Sequence, residues 1–307
     1  MAHARLTLLD IAKMNNSDEV AGLIDETVVA HPEWTTGFAR TIKGINYKTL
    51  VRTALPAAGF RGANEGIEVT KSTLENRLVE AFLVDASWNM DTGVADPYED
   101  GPEATCALEA SGHMESAIIS TCKQFYYGTA SGATGAAKGY AGLIDSVDSG
   151  MVVDAGGTTG DTASSVWGIK FGPKDVAWVF GRDGQFTESE IGKQQIEIDS
   201  KILWAYVQQI QGYVGVQVGN KYAIGRIRDL TADSGKGLTD DLISDLLSLF
   251  PVGQKPDVLA MNRRSLKQLQ QSRTATNPTG APAPFPQDSF NIPIMLTDSI
   301  INTEALS

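Results

Sequence analysis

The chain of 307 residues is 42% hydrophobic and 20% charged, with 31 glycines. This composition can bury a core, and it excludes both a disordered tail and a disulfide-stapled miniprotein. Its 37 acidic residues outnumber 25 basic ones for a formal charge of -12, which argues against broad adhesion to nucleic acid or anionic lipid, although a surface of that charge can enclose DNA without gripping it.

Met1 to Asn16 lacks an apolar core followed by a small-residue cleavage site, and no apolar run approaches the ~18 residues that span a bilayer. No membrane partner is expected, and synthesis is expected in a reducing cytosol. Leu6, Leu9 and Ala12 share one face of a short helix; Ser17 is placed to cap a second carrying Val20, Leu23, Ile24 and Val28, ended by His31-Pro32. Neither is long enough to be stable alone, so they predict an arm that lies on something else. From Arg40 to Asp85 the period becomes two. Tyr47, Thr49, Val51 and Thr53 alternate with Lys48, Leu50 and Arg52, and Leu74, Leu78, Phe82 and Val84 mark a return strand. Pro56-Ala57-Ala58-Gly59 and Gly62-Ala63-Asn64-Glu65-Gly66 supply turns between them. A two-stranded ribbon is marginal in water, which predicts that another chain covers its apolar face. Arg40, Lys43, Lys48, Arg52 and Arg61 occur with no acidic residue from Arg40 through Asn64. A solvated charged strand and a cationic ribbon docking on an acidic neighbour both fit that run.

Pro97 and Pro102 bracket Glu99-Asp100-Gly101, the approach to a helix of about 25 residues ending near Tyr127, with Ala104, Ala107, Leu108, Met114, Ile118 and Phe125 at helical spacing. Glu99, Asp100 and Glu103 suit its positive N-terminus, and Glu109 and Glu115 fall on the opposite face. Cys106 and Cys122 lie on this rod about 24 Å apart and cannot bridge. Residues 128–160 are glycine-rich and read as loop and edge structure. Val166 to Phe171, Val176 to Phe180, Tyr213 to Val218 and Lys221 to Ile227 read as strands of a β-rich subdomain, with a helical connection near Glu188 to Ile202. Thr239 caps an amphipathic helix that Pro251 stops. A buried strand follows at Asp257 to Met261, then a helix capped by Asn262, a proline-rich extended loop, and a last strand from Ile294 to Thr297.

Asp233-Ser234-Gly235-Lys236-Gly237 is similar to a phosphate loop, but it lacks the first glycine at the required spacing and has Gly237 where a magnesium-binding hydroxyl belongs. His3, His31 and His113 are the only histidines, poor material for a metal cluster or a nucleophile triad. The carboxylates show no spacing that separates a catalytic pair from a solvated face. No catalytic residue, cofactor or metal ligand is singled out, which favours a structural role.

An arm, a long hairpin, a long acid-capped helix and a mixed domain returning in a final strand, in that order, resemble the Hong Kong 97-type major capsid proteins of tailed phages. Arg40-Thr41-Ile42-Lys43-Gly44, Gln124-Phe125-Tyr126-Tyr127-Gly128-Thr129, Lys138-Gly139-Tyr140-Ala141-Gly142-Leu143, Gly225-Arg226-Ile227-Arg228-Asp229-Leu230 and Pro256-Asp257-Val258-Leu259 resemble those of the epsilon15-like short-tailed branch. The resemblance implies an α+β fold with an N-terminal arm (1–39), an extended hairpin loop (40–85) and a peripheral domain with a spine helix (86–137). It further implies an axial domain (138–291) with a β-rich insertion at about 165–230, and a final strand (292–307) returning to the peripheral domain. It also implies a noncatalytic subunit, made in a bacterial cytoplasm, whose copies form the hexamers and pentamers of an icosahedral head around double-stranded DNA. The implied partners are further copies of itself, portal and scaffolding proteins, and a decoration protein in some phages.

On this reading the ribbon of one copy lies over the long helix of the next, so that Arg40, Lys43, Lys48, Arg52 and Arg61 face Glu99, Asp100, Glu103 and Glu109. Buried apolar area supplies most of the binding and the charges fix the register. The alternatives are a cellular nanocompartment shell of the same fold and a cytosolic α/β enzyme using residues 128–160 as a substrate loop.

Overall fold

Thr7 and Asp10 cap one another at the start of α1 (Leu8–Met14): the Thr7 backbone N–H donates to Asp10 Oδ2 at 3.0 Å, and that of Asp10 to Thr7 Oγ1 at 3.4 Å. The computed structural model describes residues 5–15, 29–129, 138–198, 200–277 and 281–306, so the second arm helix expected after Ser17 lies outside the described residues. The chain continues through α2 (Glu33–Thr36) and β1 (Ala39–Thr41) into the expected ribbon, β2 (Asn46–Ala54) and β3 (Thr73–Glu80), an antiparallel pair with Asn46 opposite Glu80 and Ala54 opposite Thr73. The return strand breaks at Ala81, whose N–H turns to Ile45 O at 2.7 Å. Phe82 and Val84 therefore belong to a separate strand, β4 (Phe82–Asp85), followed by β5 (Trp88–Asp91) and α3 (Thr92–Ala95). Next come the long α4 (Pro102–Tyr127), α5 (Leu143–Ser146), β6 (Val152–Asp154), β7 (Ser164–Ile169), β8 (Val176–Phe180) and β9 (Thr187–Glu188). β10 (Gly192–Ile198), β11 (Lys201–Gln208), β12 (Ile210–Val218) and β13 (Ile224–Leu230) follow, and the chain closes with α6 (Asp240–Ser248), β14 (Val258–Met261), α7 (Arg263–Ala275), β15 (Asp288–Ser289) and β16 (Ile292–Leu296).

A six-stranded sheet runs β15-β16-β14-β7-β13-β6. Every residue of β7 and β14 is buried, as expected of strands covered on both faces. Ile243 and Leu246 of α6 and Phe250 just beyond its end, with Leu266 and Leu269 of α7, pack on Val166, Ile227, Leu259 and Met261. Gly225 allows that approach: a Cβ there would lie 2.8 Å from the side chains of both Leu246 and Phe250. A second sheet, β1-β8-β12-β4 with β9 beside β12, receives the C-terminal end of α4, where Phe125 stacks on Trp178 at 4.7 Å. A third, β10-β11-β5, places Trp88, Met90 and Tyr206 against Cys106 of the same helix.

Several expectations need correction. The helical connection near Glu188 to Ile202 is the hairpin β10–β11, with Gly192 opposite Val207 and Ile198 opposite Lys201. Ile196, Ile198, Ile202 and Trp204 repeat with period two, and β-branched and aromatic residues at that spacing favour a pleated surface over a helix. The strands between Ser164 and Leu230 do not pair as one subdomain but are shared among all three sheets. On α4, Ala104 and Ala107 are exposed, and the buried face is Thr105, Cys106, Thr121, Cys122 and Phe125. Small side chains supply too little apolar area to set a helix's rotation. Glu99 and Asp100 precede the Gly101 cap, so only Glu103 lies in the first turn. Among the described residues no helix is long and apolar enough to cross a membrane.

The C-terminal segment is pinned by a buried charge network. Glu304 accepts from Arg226 Nη2 at 3.1 Å, from Ser165 Oγ at 2.6 Å and from the Tyr127 hydroxyl at 2.7 Å, and Arg226 also donates to Ser165 and lies over Trp167. Glu304→Ala leaves the buried Arg226 charge uncompensated and is expected to cost about 3–5 kcal/mol in urea unfolding of the isolated subunit. The half-exposed pair Arg273–Asp240, bidentate at 2.7 Å, is worth about 0–1 kcal/mol. Hydrogen bonding to Arg273 holds the Asp240 carboxyl below its ordinary range. Its contribution is therefore complete above about pH 4 and fades as pH falls through the lower folded value, a slope that Arg273→Ala should flatten.

Candidate assembly surface

The cross-strand register of the ribbon sorts its side chains onto two faces. Lys48 sits opposite Leu78, Leu50 opposite Asn76 and Arg52 opposite Leu74, and since opposed residues point the same way these six share a face. All six are exposed, with Leu50 67%, Leu74 53% and Leu78 52% open to solvent. The other face carries Tyr47 opposite Val79, Thr49 opposite Arg77 and Val51 opposite Glu75. It is covered at its root, where Val79 packs with Ile42, Val179 and Tyr47.

That root is a polar clamp as well as an apolar one. The Tyr47 hydroxyl donates to Gln217 Oε1, Gln217 Nε2 donates to Pro173 O at 3.0 Å, and the Arg40 guanidinium lies 4.4 Å from the Tyr47 ring centre. Burial pushes the Tyr47 phenol up from its ordinary value, with Arg40 acting in the opposite sense. Beyond the root the ribbon opens into residues 55–72, where Leu55, Phe60, Ile67 and Val69 are all exposed. The tip is organised locally: Ala57 N–H donates to Thr70 Oγ1 at 2.6 Å, Gly62 N–H to Glu65 Oε2 at 3.0 Å, and Arg61 Nη1 to Glu65 O at 2.8 Å. An open groove of about 670 Å³ runs between β3 and the body, lined among others by Asn76, Leu78, Phe82, Val216, Val218 and Lys221.

The basic residues singled out in the sequence divide into two kinds. Arg40 is engaged by Tyr47 and by Gln217 at 3.4 Å, and Arg61 by its own loop. Lys43, Lys48 and Arg52 are exposed and make no ion pair among the described residues. The acidic set gathers around the start of α4. Glu103 is in its first turn, Glu109 Oε2 lies 3.8 Å from His113 Nε2, and the backbone N–H of Glu99 donates to Asn15 Oδ1 at 3.1 Å. Asp100 hydrogen-bonds Tyr98 and, after desolvation, helps raise that phenol. The alternation of β2 was visible in the sequence. So was a return strand carrying Leu74 and Leu78; its register was not, because register depends on the length of a loop with no fixed turn type.

The family model for Major capsid protein GP7 matches residues 38–306. The chain belongs to this family. No curated protein matches it. Among solved structures, the capsid protein is similar to that of bacteriophage epsilon15, with a TM-score of 0.69 and 16% identity over 99% of this chain and 98% of that one. It also matches the capsid of Myoviridae phage XM1, with a TM-score of 0.49 and 10% identity over 75% of this chain and 100% of that one. The holo-SrpI encapsulin complex of Synechococcus elongatus gives a TM-score of 0.47 and 8% identity over 74% and 97%. The α+β architecture is thus of the Hong Kong 97 type, and the chain is a structural major capsid protein that self-assembles in a virion shell.

Covering the remaining surface of Leu50, Leu74 and Leu78 is worth about 1–1.5 kcal/mol each. Leu50→Ser with Leu78→Ser is expected to change the unfolding free energy of the isolated subunit by less than about 0.5 kcal/mol while preventing particle formation, as read by sedimentation.

Proposed function

We propose that copies of this chain form the hexamers and pentamers of an icosahedral phage head enclosing double-stranded DNA, with the ribbon of each copy laid over α4 of the next. The observation that carries this reading is the ribbon face of Lys48, Leu50, Arg52, Leu74 and Leu78, which its own body leaves open. The proposed seat is the acidic start of α4, where Glu99, Asp100, Glu103 and Glu109 oppose the charge of Lys43, Lys48 and Arg52. Arg40 and Arg61 then act by shaping the root and the tip, since both have partners in their own chain.

In this arrangement residues 1–39 are the arm, 40–85 the extended loop, 86–137 the peripheral domain, 138–291 the axial domain and 292–307 the returning segment. Portal and scaffolding proteins, and a decoration protein on the outer surface, complete the proposed partners, with synthesis in the host cytoplasm. The net charge of -12 supports a container that holds DNA without sequence-specific contact. No catalytic step is assigned to the chain.

Deleting residues 56–66 removes only exposed, locally bonded loop, and is expected to give a soluble subunit with unchanged circular dichroism and no closed shells by negative-stain microscopy; normal shells would overturn the arrangement. Reversing Lys48→Glu with Arg52→Glu should lower particle yield about tenfold, the effect of ~1.4 kcal/mol per interface. Adding Glu103→Lys and Glu109→Lys should restore it, and no restoration would place the acidic seat elsewhere. Nucleic acid inside purified particles supports a phage head, and an enclosed enzyme in its place would point to a nanocompartment.

A further inference from the structure

Three histidines scattered along the sequence gave no reason to expect a metal, but the fold changes that for one of them. His31 and Glu33, at the entry to α2, meet Cys122 on α4, and one ligand atom from each lies within 4.8 Å of the others. Glu33 and Cys122 are fully buried and the His31 side chain is 8% exposed. Glu33 Oε2 and His31 Nε2 are both buried without a hydrogen-bond partner. A buried polar atom short of a partner is costly and rare in native structures, and the group set against Glu33 here is the Cys122 thiol.

The neighbouring bonds fix which atoms are left over. Thr297 Oγ1 donates to Glu33 Oε1 at 3.1 Å, and Ser299 Oγ donates to the same oxygen. Ser299 has a single hydroxyl proton, so towards His31 Nδ1, 2.8 Å away, its oxygen acts as the acceptor. Nδ1 therefore carries the imidazole proton and Nε2 keeps its lone pair. Ligating imidazoles share this protonation pattern, one ring nitrogen donating to a neighbour and the other keeping its lone pair. The segment is also held rigidly: Trp178 Nε1 donates to Glu33 O at 3.0 Å, and Trp34 packs edge-on to Trp178 at 5.2 Å.

We propose that His31, Glu33 and Cys122 bind a zinc-class divalent cation. A nitrogen, oxygen and sulfur donor set suits zinc, whereas calcium and magnesium take oxygen alone. On binding, the Cys122 thiol gives its proton to solvent and its sulfur lone pair forms the metal bond, with no change of oxidation state. The bound ion would join the arm to the spine helix, next to the segment Thr297 to Ser299, three stretches far apart in sequence. The site shares no residue with the ribbon, so its failure would leave the capsid reading standing.

The test is metal content of the full-length protein after incubation with zinc sulfate and desalting. About one zinc per chain is expected by mass spectrometry, with Cys122→Ser and His31→Gln each lowering it at least tenfold and Cys106→Ser leaving it unchanged. Cobalt(II) in place of zinc should produce a thiolate-to-cobalt charge-transfer band that persists in Cys106→Ser and vanishes in Cys122→Ser. The wild-type chain alone can overturn the proposal, by retaining well under one zinc or by showing no such band with cobalt. Equal zinc in the wild type and the Cys122→Ser variant would overturn it as well.

Discussion

A two-stranded ribbon can rest one face on its own body and has nothing of its own with which to cover the other. Here the covered face is held at one end, where Val79 packs with Ile42 and Val179 and the Tyr47 hydroxyl meets Gln217. Burial decreases with distance from that clamp: Val79 is buried, Arg77 half-buried and Glu75 exposed. The root therefore sets where the ribbon points, and the outer face of Leu50, Leu74 and Leu78 sets what it lacks. Three partly exposed leucines represent a few kcal/mol of unrealised burial, too little to unfold a subunit but enough to matter when a neighbour supplies the missing surface.

The body, by contrast, completes its own interior. α4 is the shared support: its N-terminal half meets the three-stranded sheet through Cys106, and its C-terminal end enters the main core through Phe125, Tyr126 and Tyr127. Glu304 then ties the last residues of the chain to Tyr127 and to Arg226 and Ser165 of the central sheet. Both oxygens of Glu304 have partners in that network, and such a network fixes one geometry where an apolar contact would tolerate several. A rigid frame of this kind lets an exposed ribbon be presented in one direction.

How much of this was legible depended on whether the signal was local. The ribbon, the long helix, the Thr239 and Asn262 caps and the strand before Asn262 were all readable, because alternation, capping and proline stops act within a few residues. The segment from Glu188 to Ile202 misled because its polar residues mask the alternation of Ile196, Ile198, Ile202 and Trp204. The rotation of α4 misled because Ala104 and Ala107 are apolar without being large. Glu304, Glu33 and Cys122 gave no signal at all. Their partners lie far away in sequence, and a buried carboxylate reads like any surface acid until the fold brings Arg226 or Ser299 to it.

The same locality explains why the ribbon was the informative element. Its meaning does not depend on distant contacts within the chain, since it is the part that the chain does not complete. In the proposed shell each ribbon contributes a modest apolar contact and exposed charge pairs worth about 0–1 kcal/mol apiece. Weak individual contacts let a misplaced subunit leave, whereas a subunit held by several neighbours at once gains from their combined effective concentration. Charges such as Lys48 and Arg52 then matter less for strength than for register, because a ribbon shifted by one residue would turn the face of Leu50 away from its seat.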